Sequence, residues 1–359
     1  MRSMIQMTPK QVNRLFLLVL APFIGIGLSI WLLSEPPRLQ LDISSYTPQQ
    51  SLETQTGNVS RGLELASATV DQTIASIERT GQLYRQTTSA MNSIRAQAES
   101  QAGLPEYIYN RRITSKLGRP IETVNTERIT LELYKVNPGY YQGHALKIKL
   151  KDPNAMTMVL GNGQPGKAIT TLQAVRNHGA VAGINAGGYA DGNGGRHPLS
   201  TTFINGSYVT GFQPSFKDLA FVGLNEDGKL IGGKFKSRDE LDRLKPKYGA
   251  TFVPVLMKNG VKTPIPAKWK TDPTRAPRTV IGNYKDDQLL ILVTEGYNET
   301  GNSGATLQEL QRKLEQLGVK DAYNLDGGGS SSLILNGRVV NRPSDGQLRP
   351  VPTHFLFFK

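Results

Sequence analysis

Residues 289–335 read LLILVTEGYNETGNSGATLQELQRKLEQLGVKDAYNLDGGGSSSLIL, and their pattern decides the fold class. The run 289–294 is short, apolar and of strand length. Thr306 and Glu309 then form a capping-box pair, and Leu307, Leu310, Leu314 and Leu317 fall on one face of a helix that Gly318 ends. A second strand follows at 322–325, so the order predicts a βαβ unit. The loop after that strand, Asn324-Leu325-Asp326-Gly327-Gly328-Gly329-Ser330, lies at a C-terminal strand edge, where α/β sheets hold ligands.

Outward from this unit, strand-like runs recur at 129–136, 145–150, 156–160, 180–185, 219–224, 229–233, 251–256, 279–282, 332–335 and 354–358. One further helix is predicted over 169–177. Residues 121–359 therefore read as a single α+β (mixed α/β) domain, with a mixed β-sheet core and few helices.

The first third of the chain is different. Residues 15–33 are uncharged and apolar, close to the ~20 residues that cross a bilayer. Arg2, Lys10 and Arg14 precede them and Glu35 follows, which puts 1–14 in the cytoplasm and the C-terminal domain outside, on a single-pass cell-membrane anchor. The competing reading is a cleaved signal peptide. Its apolar core is usually about 7–15 residues before small residues, whereas Trp31, Leu32 and Leu33 occupy that place here.

Residues 34–60 read as a polar linker. Over 61–115 a helical stalk is predicted, because Leu63, Val70, Ile77, Tyr84, Met91 and Ala98 recur every seventh residue. The companion positions Ala66, Thr73, Thr80 and Thr87 are poor core residues, so weak self-association through 63–98 is the most this seam supports.

There is no cysteine among the 359 residues, which excludes disulfides, thiolate metal sites and cysteine nucleophiles. The formal charge of +13 attracts polyanions or is simply a solvated basic surface. No Lys/Arg-rich helix with interleaved aromatics points to nucleic acid. An extracytoplasmic anionic glycan, teichoic acid or phospholipid headgroup fits better.

Gly327, Gly328 and Gly329 allow close approach and positive φ, and consecutive N–H groups in such turns bind anions. The alternative is a tight Asp-Gly turn joining 322–325 to 332–335. Other glycine and charge motifs accompany the loop. Gly183-Ile184-Asn185-Ala186-Gly187-Gly188-Tyr189 is followed by Asp191, Arg196, His197 and Ser200. Arg275-Ala276-Pro277-Arg278-Thr279 leads into a strand, and Glu295-Gly296 precedes Ser303-Gly304-Ala305-Thr306.

Taken in this order over 122–359, these motifs resemble the phosphodiester glycosidase family. The resemblance implies hydrolysis of a sugar-1-phosphodiester at the glycosidic carbon, with a phosphomonoester leaving and no cofactor. It carries Asn185, Gly187, Arg278, Asp326, Gly327, Gly328, Gly329 and Ser330 into the site. Gly188, Ser200 and His197 are further candidate substrate contacts. Where the family has an Asp-Gly-Arg-like stretch, this chain has Glu295-Gly296-Tyr297, which removes one basic phosphate contact.

A phosphate leaving group is a weak base, so stabilising departing charge outweighs acid assistance. Arg278 suits that task through its planar fork. Asp326 is the candidate nucleophile, base or oxocarbenium stabiliser, and Glu295 the candidate second carboxylate. Plainer roles stand beside these: Asp326 capping its turn or buttressing Arg278, Glu295 on the surface, and His197 incidental rather than a general acid. Asp191, Asn193 and Asp326 are oxygen ligands without the later glutamate of an EF-hand, so no metal is assigned. Besides hydrolysis, two functions remain open: a non-catalytic module that holds anionic envelope polysaccharide, and a phosphohydrolase breaking the P–O bond.

Overall fold

The computed structural model describes residues 9–33, 52–296 and 304–359. Tyr297, Ser303 and most of the linker reading lie outside them. The chain divides into two compact units, Met1–Asn92 and Ser93–Lys359.

In the first unit, helix Pro9–Leu33 contains the apolar window Phe16–Leu33, with mean hydropathy 2.4 and none of it buried. At 1.5 Å per residue its length is adequate to cross a hydrocarbon layer. The long helix Leu52–Leu117 starts within the stretch read as linker. Leu63, Val70, Ile77, Tyr84 and Met91 are all exposed along it, so the seven-residue seam is uncovered in the single chain. Threonines fill the companion positions and bond back to their own helix, Thr73 Oγ1 donating to the Thr69 carbonyl at 2.8 Å.

The second unit is an α+β domain of packed sheets. An eight-stranded sheet runs in the order Glu122–Asn125, Ile129–Val136, Gly143–Leu150, Leu289–Thr294, Thr279–Asn283, Asp321–Leu325, Val255–Lys258, Val261–Lys262. A five-stranded sheet has the order Arg338–Val339, Leu333–Leu335, Ala182–Asn185, Thr353–Phe357, Met156–Leu160. A third sheet is centred on Ala220–Asn225 and Pro246–Phe252. Every ladder among the described residues is antiparallel.

Side-chain alternation explains the layering. Ile291 and Val293 join the core shared with Ile184, Phe355 and Phe357, while Leu290 and Leu292 face Leu307, Leu310, Leu314 and Leu317 of helix Leu307–Leu317. Leu289–Thr294 is thus buried on both faces, which is why it is a continuous apolar run. The helix carries the predicted capping box, and Gly318 ends it at φ 79°. The last turns of the long helix pack on the same face through Ile113, which is buried against Tyr284 and its neighbours.

Two expectations are modified. Leu289–Thr294 and Asp321–Leu325 are parallel but not adjacent, because Thr279–Asn283 pairs antiparallel with both and lies between them. The strand expected over 251–256 is split at Pro254. Proline cannot donate to a ladder, and the chain leaves one sheet at Phe252 to enter another at Val255.

Candidate active site

The acidic glycine loop is not a hairpin turn, since the strands it joins, Asp321–Leu325 and Leu333–Leu335, belong to different sheets. Asn185 fixes this crossing. Its Nδ2 donates to the Asp326 carbonyl at 2.6 Å, and its Oδ1 accepts from Thr279 Oγ1 at 2.9 Å and from the Ser332 N–H at 3.0 Å. The side chain is fully buried and three of its four hydrogen-bonding positions are taken up by protein, so in this structure Asn185 positions the loop.

Gly187 and Gly188 are likewise buried. A Cβ at either would overlap Ala250 or Phe252, so they serve close packing between segments. Ser200 is buried at φ 54°, its carbonyl held by the Thr210 hydroxyl at 2.5 Å.

Within the loop most amides are occupied. Gly327 N–H donates to Asp326 Oδ1 at 3.0 Å and Gly328 N–H to the Pro277 carbonyl at 2.8 Å, while those of Ser330 and Ser331 close a 3₁₀ turn. The row of free amides read from the sequence reduces to Gly329. A Cβ at Gly329 would meet the ends of the Asp345 and Arg349 side chains, which would have to shift aside. Gly328 takes φ 60°.

Asp326 Oδ2 is shut off from solvent, with the Ser330 hydroxyl near it but no aligned hydrogen bond between them, and the Ser331 hydroxyl is likewise buried without a partner. Burial pushes the Asp326 carboxyl up to about 6, against the opposing influence of the Ser330 hydroxyl, the Gly327 N–H, and the Arg349 and Arg196 guanidiniums.

Arg278 shares a cavity of about 220 Å³ with Asp326, Gly327, Gly328, Trp269 and Pro254. Thr279 points toward Asn185, so alternation turns Arg278 to the opposite face of the strand end, toward Leu307 and Trp269. Arg278 is 5 % exposed, its Nη2 donates to the Pro273 carbonyl at 3.0 Å, and its Nε has no partner. Burial lowers the guanidinium to about 10, and it stays charged at neutral pH. No carboxylate pairs with it among the described residues.

Beyond Asp326 lie two cations that sequence reasoning left out of the site. Arg349 is paired with Asp345 at 2.6 Å, and Arg196 with Asp191 at 3.2 Å while stacking over Tyr189 at 5.0 Å. The four-residue spacing of Asp345 and Arg349 was a readable ion-pair signal. Their proximity to Asp326 depends on the tertiary fold.

The remaining candidates lie elsewhere. Glu295 continues the face of Val293, whose register partner is His144, and its Oε1 lies 3.0 Å from His144 Nδ1. Its Oε2 accepts the Arg342 N–H. It does not line the Arg278 cavity. His197 is exposed on the hairpin formed by Tyr189–Gly192 and Gly195–Pro198, its Nε2 3.0 Å from the Gly192 carbonyl.

Behind the loop runs a buried chain that the sequence did not suggest. His354 Nδ1 lies 3.2 Å from Thr171 Oγ1, which lies 2.6 Å from Ser332 Oγ, which donates to the Ser330 carbonyl at 3.2 Å. Burial holds the His354 imidazole down at about 3, so it is neutral.

Residues 178–358 match the family described as phosphodiester glycosidase. The chain is 27% identical over 229 residues to an N-acetylglucosamine-1-phosphodiester alpha-N-acetylglucosaminidase of Mus musculus, covering 58% of this chain and 43% of the mouse protein. Its identity to the Homo sapiens protein of that name is 30% over 140 residues, 35% of this chain and 27% of the human protein. The chain thus spans less than half the length of these relatives. In fold it is similar to the catalytic domain of the zebrafish protein of the same name, auto-inhibited by its pro-peptide. The TM-score is 0.54 at 20% identity, over 66% of this chain and 88% of that one.

Proposed function

This chain belongs to the phosphodiester glycosidase family, and we propose that its C-terminal unit hydrolyses a sugar-1-phosphodiester at the glycosidic carbon. The supporting observation is the pairing of a buried, carboxylate-free Arg278 with a half-buried Asp326 around one cavity. A cation desolvated without a counter-charge favours an anionic ligand, and a guanidinium matches two phosphate oxygens at once.

In this reading Arg278 holds the phosphate, and its charge balances the negative charge gathered as the C1–O bond breaks. Asp326 acts at the anomeric carbon through its free Oδ2, with Arg196 and Arg349 completing the electrostatic surround. Its raised carboxyl lets it take a proton from water near neutral pH, as a general base does. Water oxygen joins C1 and keeps one proton as the new sugar hydroxyl, the bonding pair of C1–O leaves with the phosphate, and the proton taken up by Asp326 passes on to the released phosphomonoester, which restores the carboxylate.

Glu295, committed to His144 and the Arg342 amide, is assigned a positioning role. The phosphate leaves without strong acid assistance, so one carboxylate is adequate.

The apolar helix Pro9–Leu33 supports a single-pass anchor with the hydrolytic unit outside the cytoplasm. The basic charge supports an anionic envelope glycan as substrate.

The test is to incubate the full chain, in detergent, with an N-acetylglucosamine-1-phosphodiester in ¹⁸O-labelled water. Free sugar carrying the label plus unlabelled phosphomonoester is expected, and Asp326→Asn removes it. Label in the phosphate, with none in the sugar, overturns the reading in favour of P–O cleavage.

A further inference from the structure

The long helix Leu52–Leu117 carries an apolar face that nothing in the single chain covers. Leu63, Val70, Ile77, Tyr84 and Met91, spaced by sevens, are between 55 % and 74 % exposed. At 1.5 Å per residue they extend over about 40 Å of helix. A contiguous uncovered face of this kind marks a contact surface, and helices in proteins draw most of their stability from packing such a face. Propensity supplies little here: Gly57, Gly62 and Gly81 lie inside the helix, and threonine recurs along it.

The threonines are better seam residues than their type suggests. Thr73 and Thr80 stand three residues after Val70 and Ile77, and donate their hydroxyls to the Thr69 and Ser76 carbonyls one turn back, at 2.8 Å each. Thr69 does the same toward the Leu65 carbonyl at 2.7 Å. A hydroxyl satisfied within its own helix leaves a methyl group to pack on a neighbour, so covering this row strands no donor. Small side chains there also let a second helix come close.

Charge decides what that helix is. From Arg61 to Ile94 the charged residues are Arg61, Glu64, Asp71, Glu78, Arg79 and Arg85. Counted with Leu63 as the first place of seven, all six fall at the second, third or sixth place, off the seam and off its flanks. The flanking fifth and seventh places are uncharged over this stretch, and the exposed Ile74 and Leu83 among them widen the apolar face. Those flanks are where a foreign helix is selected by opposite charge and an identical one is rejected by like charge. Neither device is present, so identical helices meet without repulsion. The β-branched Val70 and Ile77 on the seam favour two strands.

We propose that a second copy of this chain covers the face, the two helices running parallel and in register from Leu63 to Met91. Two anchors Pro9–Leu33 that enter one membrane with the same polarity make the pairing parallel. The orientation rests on the single-pass anchor proposed above, the pairing on the helix face alone.

A chain without native cysteine suits a cross-linking test. In the full chain in lipid vesicles, Thr73→Cys and Thr87→Cys are oxidised separately with copper phenanthroline, beside Gln82→Cys on the opposite side of the helix. Parallel helices in register bring each seam cysteine to its counterpart within the roughly 4.4–6.8 Å of Cα separation that a disulfide needs. Both seam variants are expected to become covalent dimers, and Gln82→Cys to stay single. In mild detergent, light scattering should give a protein mass of two chains. Ile77→Glu, which sets two carboxylates face to face on the seam, should return that mass to one chain and abolish the Thr73→Cys cross-link.

Cross-linking at only one of the two seam positions, with a mass of two chains, overturns the parallel register and keeps the pairing. A mass of one chain for the parent, or Gln82→Cys linking as readily as the seam variants, overturns the pairing and leaves the face to a different protein.

Discussion

Arg278 and Asp326 line one cavity and yet form no ion pair, and the guanidiniums that bear on the Asp326 carboxylate are instead those of Arg349 and Arg196. The guanidinium lacks any carboxylate partner among the described residues, and Asp326 Oδ2 lacks a hydrogen bond. On the proposed mechanism, replacing Arg278 with Ala removes the charge that stabilises the departing phosphate and is expected to lower kcat by about 10²–10³-fold. Arg278→Lys keeps the charge but loses the two-toothed geometry, and should recover only part of that loss in steady-state kinetics on a phosphodiester probe.

With the Asp326 carboxyl at about 6, the fraction able to act as base rises through that pH. The kcat/KM profile should therefore climb between pH 5 and about 7 and then level. The same shift has a stability sign. A carboxyl raised in the folded state favours folding below its ordinary value near 4, and that contribution is lost as pH rises through about 6. Asp326→Asn cannot ionise, so its midpoint of thermal unfolding should exceed that of the parent at pH 7.5, with the gain disappearing below about pH 4.

Asn185→Ala leaves the Thr279 hydroxyl, the Ser332 N–H and the Asp326 carbonyl without their partner. Orphaning buried polar groups is expected to cost about 2–4 kcal/mol in urea denaturation. Activity should fall with stability, and not in substrate affinity alone.

His354 gives the opposite slope. An imidazole held down at about 3 contributes stability that is complete above its ordinary value near 6.5 and is lost as pH falls toward 3. His354→Gln cannot charge, so its denaturation free energy should fall less steeply than that of the parent across that interval. A parallel decline in both proteins would show that the buried imidazole is not the acid-sensitive group.

Local rules carried the sequence reading where the structure is local. The capping box at Thr306 and Glu309, the Gly318 stop and the apolar run Leu289–Thr294 depend on neighbours within a few residues, and each was legible. The break at Pro254 was not, because a change of sheet is decided by what packs on either side. The loop amides were misread for the same reason: the acceptor for Gly328 is Pro277, far away in sequence. Arg278 and Asp326 were readable as residue types in a motif. That they line one cavity follows from a strand register that composition does not encode.

The order of strands in the five-stranded sheet has a consequence for how the protein is made. Thr353–Phe357 is synthesised long after Ala182–Asn185 and Met156–Leu160, yet it inserts between them and pairs with both. Until it arrives, Asn185 sits at the end of a strand missing one neighbour, and the loop it holds has no fixed floor. The site can therefore assemble only after Thr353–Phe357 has left the ribosome. A stop codon placed at Val351 would yield not a weakened hydrolase but a chain with a split sheet and an open edge, a substrate for proteolysis.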